Sequence, residues 1–122
     1  MSKKILVVDD SPTDMKRLTL FLKSKGYLIS TATDGEKALE VVLEDKPDLM
    51  LLDVMLPKKN GFQVCREIKT GTETKDITVI LVTSKSQATD RFWGLKQGAD
   101  GYLTKPFEDQ DLVTLLQEHM QI

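Results

Sequence analysis

The chain has 122 residues, 40% of them hydrophobic and 30% charged, and a net charge of −2. That suits one soluble globular domain and gives no electrostatic reason to expect nucleic acid or an anionic membrane as partner. Its uncharged apolar stretches fall far short of the ~20 residues that cross a bilayer, and Met1-Ser2-Lys3-Lys4 enters an apolar run with no signal-peptide pattern, so a cytoplasmic location is expected.

From the N-terminus, Ile5-Leu6-Val7-Val8 predicts a buried strand over about 5–9 that ends in Asp9 and Asp10. Ser11 with Pro12 is a cap and first-position pair, predicting a helix over 12–25 closed by Gly26. The loose alternation of Leu28-Ile29-Ser30-Thr31-Ala32-Thr33 reads as an edge strand over 28–33, followed by a helix over 35–45. Leu49-Met50-Leu51-Leu52 is a second continuous run, a strand over 49–53 that ends in Asp53 and precedes a helix over 61–70. That helix carries the single cysteine, Cys65, beside Val64 and Ile68, where packing is its expected role and no internal disulfide can form.

Val79-Ile80-Leu81-Val82 predicts a third buried strand over 78–83, ending in Thr83. Ser86 then stands as the expected cap of a helix over 87–97, with Gly98 past its end. On this helix the line Ala88, Phe92 and Leu95 is expected to fill the buried face. Trp93 is left rotated away from it, either exposed as an interface anchor or packed beside Tyr102. Gly101-Tyr102-Leu103-Thr104 is a short edge strand over 101–104 that ends at Lys105, and a helix over 108–120 presents Leu112, Leu115, Leu116 and Met120 on one face. Near its end, His119 reads as a partly solvated surface residue.

Strands alternating with helices five times predict a doubly wound α/β fold, (βα)5, with a five-stranded parallel sheet covered on both faces. The continuous runs belong in the middle and the alternating or short ones at the edges, so right-handed crossovers give the flavodoxin-like order 2-1-3-4-5. The direction of winding then reverses between Asp9-Asp10 and Asp53, where open α/β sheets place their ligand sites. Each of Asp9, Asp10, Asp53, Thr83 and Lys105 alone could be a cap or loop residue. Together at one sheet edge, three acids repel each other by ~1 to 4 kcal/mol per pair and call for a cation. Mg2+ suits that set, with Asp10 and Asp53 as direct ligands and Asp9 in a water-mediated or orienting role. A phosphoryl donor could then be held by the metal and Lys105 while Asp53 acts as acceptor and Thr83 donates a hydrogen bond to the new oxygens.

Over nearly its whole length the chain resembles a response-regulator receiver domain of the chemotaxis-regulator type. Asp9-Asp10 is similar to the acidic pair, Asp53 to the phospho-acceptor, Thr83-Ser84 to the hydroxyl followed by a small residue, and Lys105-Pro106 to the lysine with its cis-proline. The resemblance implies that the Met55 main-chain carbonyl is a further Mg2+ ligand, that Tyr102 is an aromatic switch turning inward with Thr83, and that Met55 and Lys85 tune phosphate lifetime. Lys59 stands where the family often has a second methionine, which bears on loop packing and partner contacts. Segment 90–107 resembles regulators of type IV pilus twitching motility and phototaxis.

The expected function is a stand-alone two-component response regulator, one receiver domain over 1–122 with no output domain. It would accept a phosphoryl group from a histidine kinase phosphotransfer domain and signal through an output protein bound at the face of helix four, strand five and helix five, where Tyr102, Trp93 and Lys96 should lie. A phosphate sink for a shared kinase is the alternative within the family. An aspartate-nucleophile phosphatase would need a second aspartate two residues after the nucleophile, where Met55 stands, so turnover of external substrates is not expected. A flavin or nucleotide site would need a glycine- or hydroxyl-rich phosphate loop after the first strand, and Asp9-Asp10-Ser11-Pro12-Thr13-Asp14 would repel one.

Overall fold

A computed structural model describes residues 3–120. The elements alternate as expected: β1 Lys4–Val8, α1 Pro12–Ser24, β2 Leu28–Ala32, α2 Gly35–Asp45, β3 Leu49–Leu52, α3 Gly61–Thr70, β4 Thr78–Thr83, α4 Ala88–Lys96, β5 Gly101–Thr104 and α5 Asp109–Met120. All strand pairs are parallel and the order is β2-β1-β3-β4-β5.

The period-two geometry of a strand divides each central run between two cores. Leu6, Val8, Met50, Leu52, Val79 and Leu81 face α2 and α3, meeting Ala38, Val42, Val64, Cys65 and Ile68. Ile5, Val7, Leu49, Leu51, Ile80 and Val82 face α1 and α5, meeting Leu18, Leu22, Leu112 and Leu116. Side chains of this kind contribute roughly 1.5–3 kcal/mol each when taken fully from water, which is why the three central strands tolerate almost no polar residue along their length.

Local signals set most boundaries. The Ser11 hydroxyl accepts the Asp14 N–H and Pro12 opens α1, while the carboxylate of Asp34 and the side-chain oxygen of Asn60 accept N–H groups of Lys37 and Gln63 at the starts of α2 and α3. Gly26 and Gly98 follow α1 and α4 with φ of 92° and 100°, a region glycine enters freely. At α4 the cap differs from the expectation: Gln87, not Ser86, precedes the helix, and its N–H donates to Asp90 Oδ2 at 3.2 Å.

The buried face of α4 also differs from the sequence reading. Phe92 is 66% exposed and Leu95 47%, while Gly94 and Gln97 turn inward. A Cβ on Gly94 would stand 2.7 Å from Leu81 Cδ1 on β4 and 3.2 Å from the Tyr102 ring on β5, so a side chain there would have to displace Leu81. Hydrophobicity alone selected the wrong stripe, because close approach to Leu81 and Tyr102 favours a glycine at the centre of the inward face.

Candidate functional site

The strand register brings the polar residues together. Val8 pairs with Leu52, Leu52 with Leu81 and Thr83 with Thr104, so the strands finish nearly level. Main-chain bonds carry the ladder just past their ends: Asp53 N–H donates to the Val8 carbonyl at 3.0 Å, and Lys105 N–H to the Thr83 carbonyl at 2.8 Å. Gly61 lets the loop after β3 fold back, since a Cβ there would collide with the Asp53 carbonyl oxygen.

Lys105 Nζ forms ion pairs with Asp9 Oδ2 at 2.6 Å, Asp14 Oδ2 at 2.9 Å and Asp53 Oδ2 at 3.1 Å. Burial alone would lower its pKa, but the carboxylates outweigh that and hold it above the ordinary lysine value. Asp9 is 1% exposed, and burial raises its pKa despite hydrogen bonds from Lys105 and from the Ser11 N–H at 2.9 Å. The remaining oxygen of Asp53, Oδ1, accepts the Met55 N–H at 3.1 Å. Asp10 is exposed at the rim.

Oxygens of Asp9, Asp10 and Asp53 lie within 4.8 Å of one another. Oxygens placed across a Mg2+ ion stand ~4.2 Å apart, twice its ~2.1 Å bond, so modest closure would fit this all-carboxylate set to a hard cation.

Thr83 is fully buried, and its Oγ1 accepts the Lys85 N–H at 3.4 Å. The Tyr102 hydroxyl donates to the Lys85 carbonyl at 2.7 Å, so the peptide groups of one residue touch both expected switch side chains. The Tyr102 ring is inward, 4% exposed, with the Arg91 guanidinium 5.3 Å from its centroid; burial raises the phenol's pKa. Tyr102 therefore offers little contact surface of its own, contrary to its expected place beside Trp93 and Lys96. Those two residues lie on the other flank of α4, against α3, and Trp93 is 51% exposed instead of packed beside Tyr102.

The Lys105–Pro106 bond is cis, as the resemblance implied. The sequence reading missed Asp14 as a Lys105 partner, although its place in the first turn of α1, just past Asp9-Asp10, carries it to the same edge. Lys105 and Asp14 also line a hollow of about 340 Å3 with Arg17, Ser84 and Phe107.

Comparison with known proteins agrees with this arrangement. The response regulator receiver domain family matches residues 5–117. The chain is 44% identical over 110 residues to Protein PilH of Pseudomonas aeruginosa, covering 90% of this chain and 91% of that one. Among solved structures, a chain from Chloroflexus aurantiacus described as a response regulator is 31% identical with a TM-score of 0.94, and each covers all of the other. The receiver domain of a sensor histidine kinase from P. aeruginosa, solved with a magnesium ion in its active-site cleft, is 29% identical over the full length of both chains with a TM-score of 0.91. By family match, fold and close relatives alike, the chain belongs to the response regulator receiver family.

Proposed function

We infer that this response regulator takes a phosphoryl group on Asp53 and acts as a protein-binding switch. The observation that carries this is the convergence of Asp9, Asp53 and Lys105 on one another, with Asp10 at the rim. Asp9, Asp10 and Asp53, with the Met55 main-chain carbonyl, would hold Mg2+, which when bound neutralises charge on the transferring group. Asp53 supplies the attacking carboxylate oxygen, and its product is an aspartyl phosphate with the leaving group released to the donor side. Lys105 keeps a positive charge beside that oxygen, and Asp9 and Asp14 hold its ammonium in place. A phosphohistidine of a kinase phosphotransfer domain would reach Asp53 past the hollow beside Lys105.

Once Asp53 is modified, Thr83 at the end of the neighbouring strand β4 supplies the hydroxyl to answer it, and Tyr102 follows through the Lys85 peptide group that both contact. That shift alters α4, which rests on Tyr102 through Gly94, and so biases partner binding on the face of α4, β5 and α5. Met55 in place of a second acid leaves no general acid/base for turnover of external phosphoesters, so the chain acts only on its own phosphate. The similarity to PilH and the likeness of segment 90–107 favour a role in pilus-dependent motility. A cytoplasmic site of action fits, and no helix among the described residues is long and apolar enough to cross a membrane.

The test is intact-protein mass after treatment with acetyl phosphate and Mg2+, beside Asp53→Asn and a chelator control. A single phosphate adduct that needs both Mg2+ and Asp53 is expected. An adduct that persists in Asp53→Asn, or none in the unmodified protein, defeats the assignment.

A further inference from the structure

Between α3 and α4 runs an open groove of about 480 Å3 whose walls include Arg66 and Lys69 on one side and Trp93 and Lys96 on the other. It lies away from the Arg91–Tyr102 flank of α4 and from the acidic cluster. Lys69 is occupied, bonded to Asp100 Oδ2 and the Ile77 carbonyl at 3.0 Å each. Among the described residues, Arg66 and Lys96 pair with no carboxylate. A chain with net charge −2 thus gathers unpaired cations around its only tryptophan, half-exposed.

An exposed tryptophan ringed by cations is the composition of a binding hot spot, since Trp and Arg dominate such sites. Positive groove walls select an acidic occupant and repel a basic one. Two free cations lining one groove suit a few carboxylates, whereas a nucleic-acid backbone needs a longer basic track and a basic protein. We propose that the α3–α4 groove docks an acidic segment of a partner protein, with Trp93 covering an apolar side chain of that segment and Arg66 and Lys96 taking its carboxylates. This surface adds to the α4–β5–α5 face and needs no phosphate on Asp53, so its test is run on unphosphorylated protein and its failure leaves the phosphorylation assignment standing.

The probe is a random dodecapeptide display library panned on the full-length protein, followed by titration of the strongest synthetic binder against Trp93 fluorescence. Selected peptides should carry two or more acidic residues beside an aromatic or leucine, and Trp93 emission should shift on binding. Arg66→Glu with Lys96→Glu should weaken binding at least about tenfold, and Trp93→Leu by about fivefold or more. The charge-matched pair Lys16→Glu with Lys23→Glu, on α1, should stay within about twofold, the size of a non-specific charge effect. Circular dichroism melts identify any variant that has lost its fold, in which case Arg66→Ala with Lys96→Ala takes its place. Selected peptides without acids, an unmoved Trp93 emission, or equal loss in the α1 pair would each overturn the proposal.

Discussion

Lys105 Nζ stands 2.6 Å from Asp9 Oδ2, nearer than to either Asp14 or Asp53, and in this structure it is the cation that lets two buried carboxylates and the half-exposed Asp14 converge. Mg2+ would join that neutralisation by drawing in Asp10 as well. At ten times its dissociation constant the ion should stabilise the fold by ~1.4 kcal/mol, raising Tm by roughly 4–8 °C. Thermal melts with Mg2+ and with chelator check this, and Asp10→Asn should remove most of the difference.

Lys105→Ala should be costly without metal. It strands Asp9, 1% exposed, beside Asp53 with no counter-charge, and breaking a buried pair from one side costs roughly 3 kcal/mol. Urea unfolding in chelator reads that loss, and added Mg2+ should recover part of it while the acetyl phosphate adduct stays strongly reduced.

Asp14→Asn separates charge from packing at the mouth of the same site. Asp14 is 40% exposed in its side chain, so solvent screening keeps the stability change within ~1 kcal/mol. Removing its negative charge from beside Lys105 should speed modification by anionic acetyl phosphate about two- to fivefold, with the gain shrinking in high salt. Initial rates of mass-adduct formation at two ionic strengths would show it; a slower reaction at both would mean that Asp14 serves mainly to hold Lys105.

The fold and the heart of the site were legible because both rest on strong, short-range signals. Continuous apolar runs such as Ile5–Val8 have few alternatives to a buried strand, and each polar residue that stops such a run is carried to the sheet edge by topology. Asp14 was less legible because it sits on a helix, where capping is an equally good reason for an acid. The orientation of α4 was misread for a physical reason: Phe92 and Leu95 make the apolar stripe, yet Leu81 and Tyr102 crowd the inward position that Gly94 fills. The pairing of Trp93 with Arg66 across two helices depends on that rotation, and no local pattern carries it.

Gly94→Ala tests that rotation. Helix propensity favours alanine by ~1 kcal/mol, but its Cβ would press on Leu81 and the Tyr102 ring, and overpacking costs roughly 1–3 kcal/mol. The expected result is a net loss of about 1 kcal/mol with α4 pushed outward, read as lower Tm and altered near-ultraviolet dichroism from Tyr102 and Trp93. A stabilised variant with an unchanged spectrum would mean that α4 shifts freely.

Cys65 gives the clearest pH dependence because it is remote from the acidic cluster. Its thiol is fully buried, and burial pushes its pKa up to about 12. The folded value lies above the unfolded one, so its contribution to stability is complete below the unfolded pKa of ~8.5 and is lost progressively as pH rises toward the folded value. At pH 10 the loss should approach ~2 kcal/mol, since each unit above the unfolded pKa costs ~1.4 kcal/mol. Tyrosines and lysines titrate in the same range, so the informative quantity is the stability difference between the unmodified protein and Cys65→Ala. Urea midpoints at pH 7.5 and pH 10 should show that difference narrowing by ~2 kcal/mol in favour of the variant. A difference independent of pH would mean that the thiol ionises without leaving its packed position between α3 and α4, where Sγ now lies 3.7 Å from the Gln97 carbonyl.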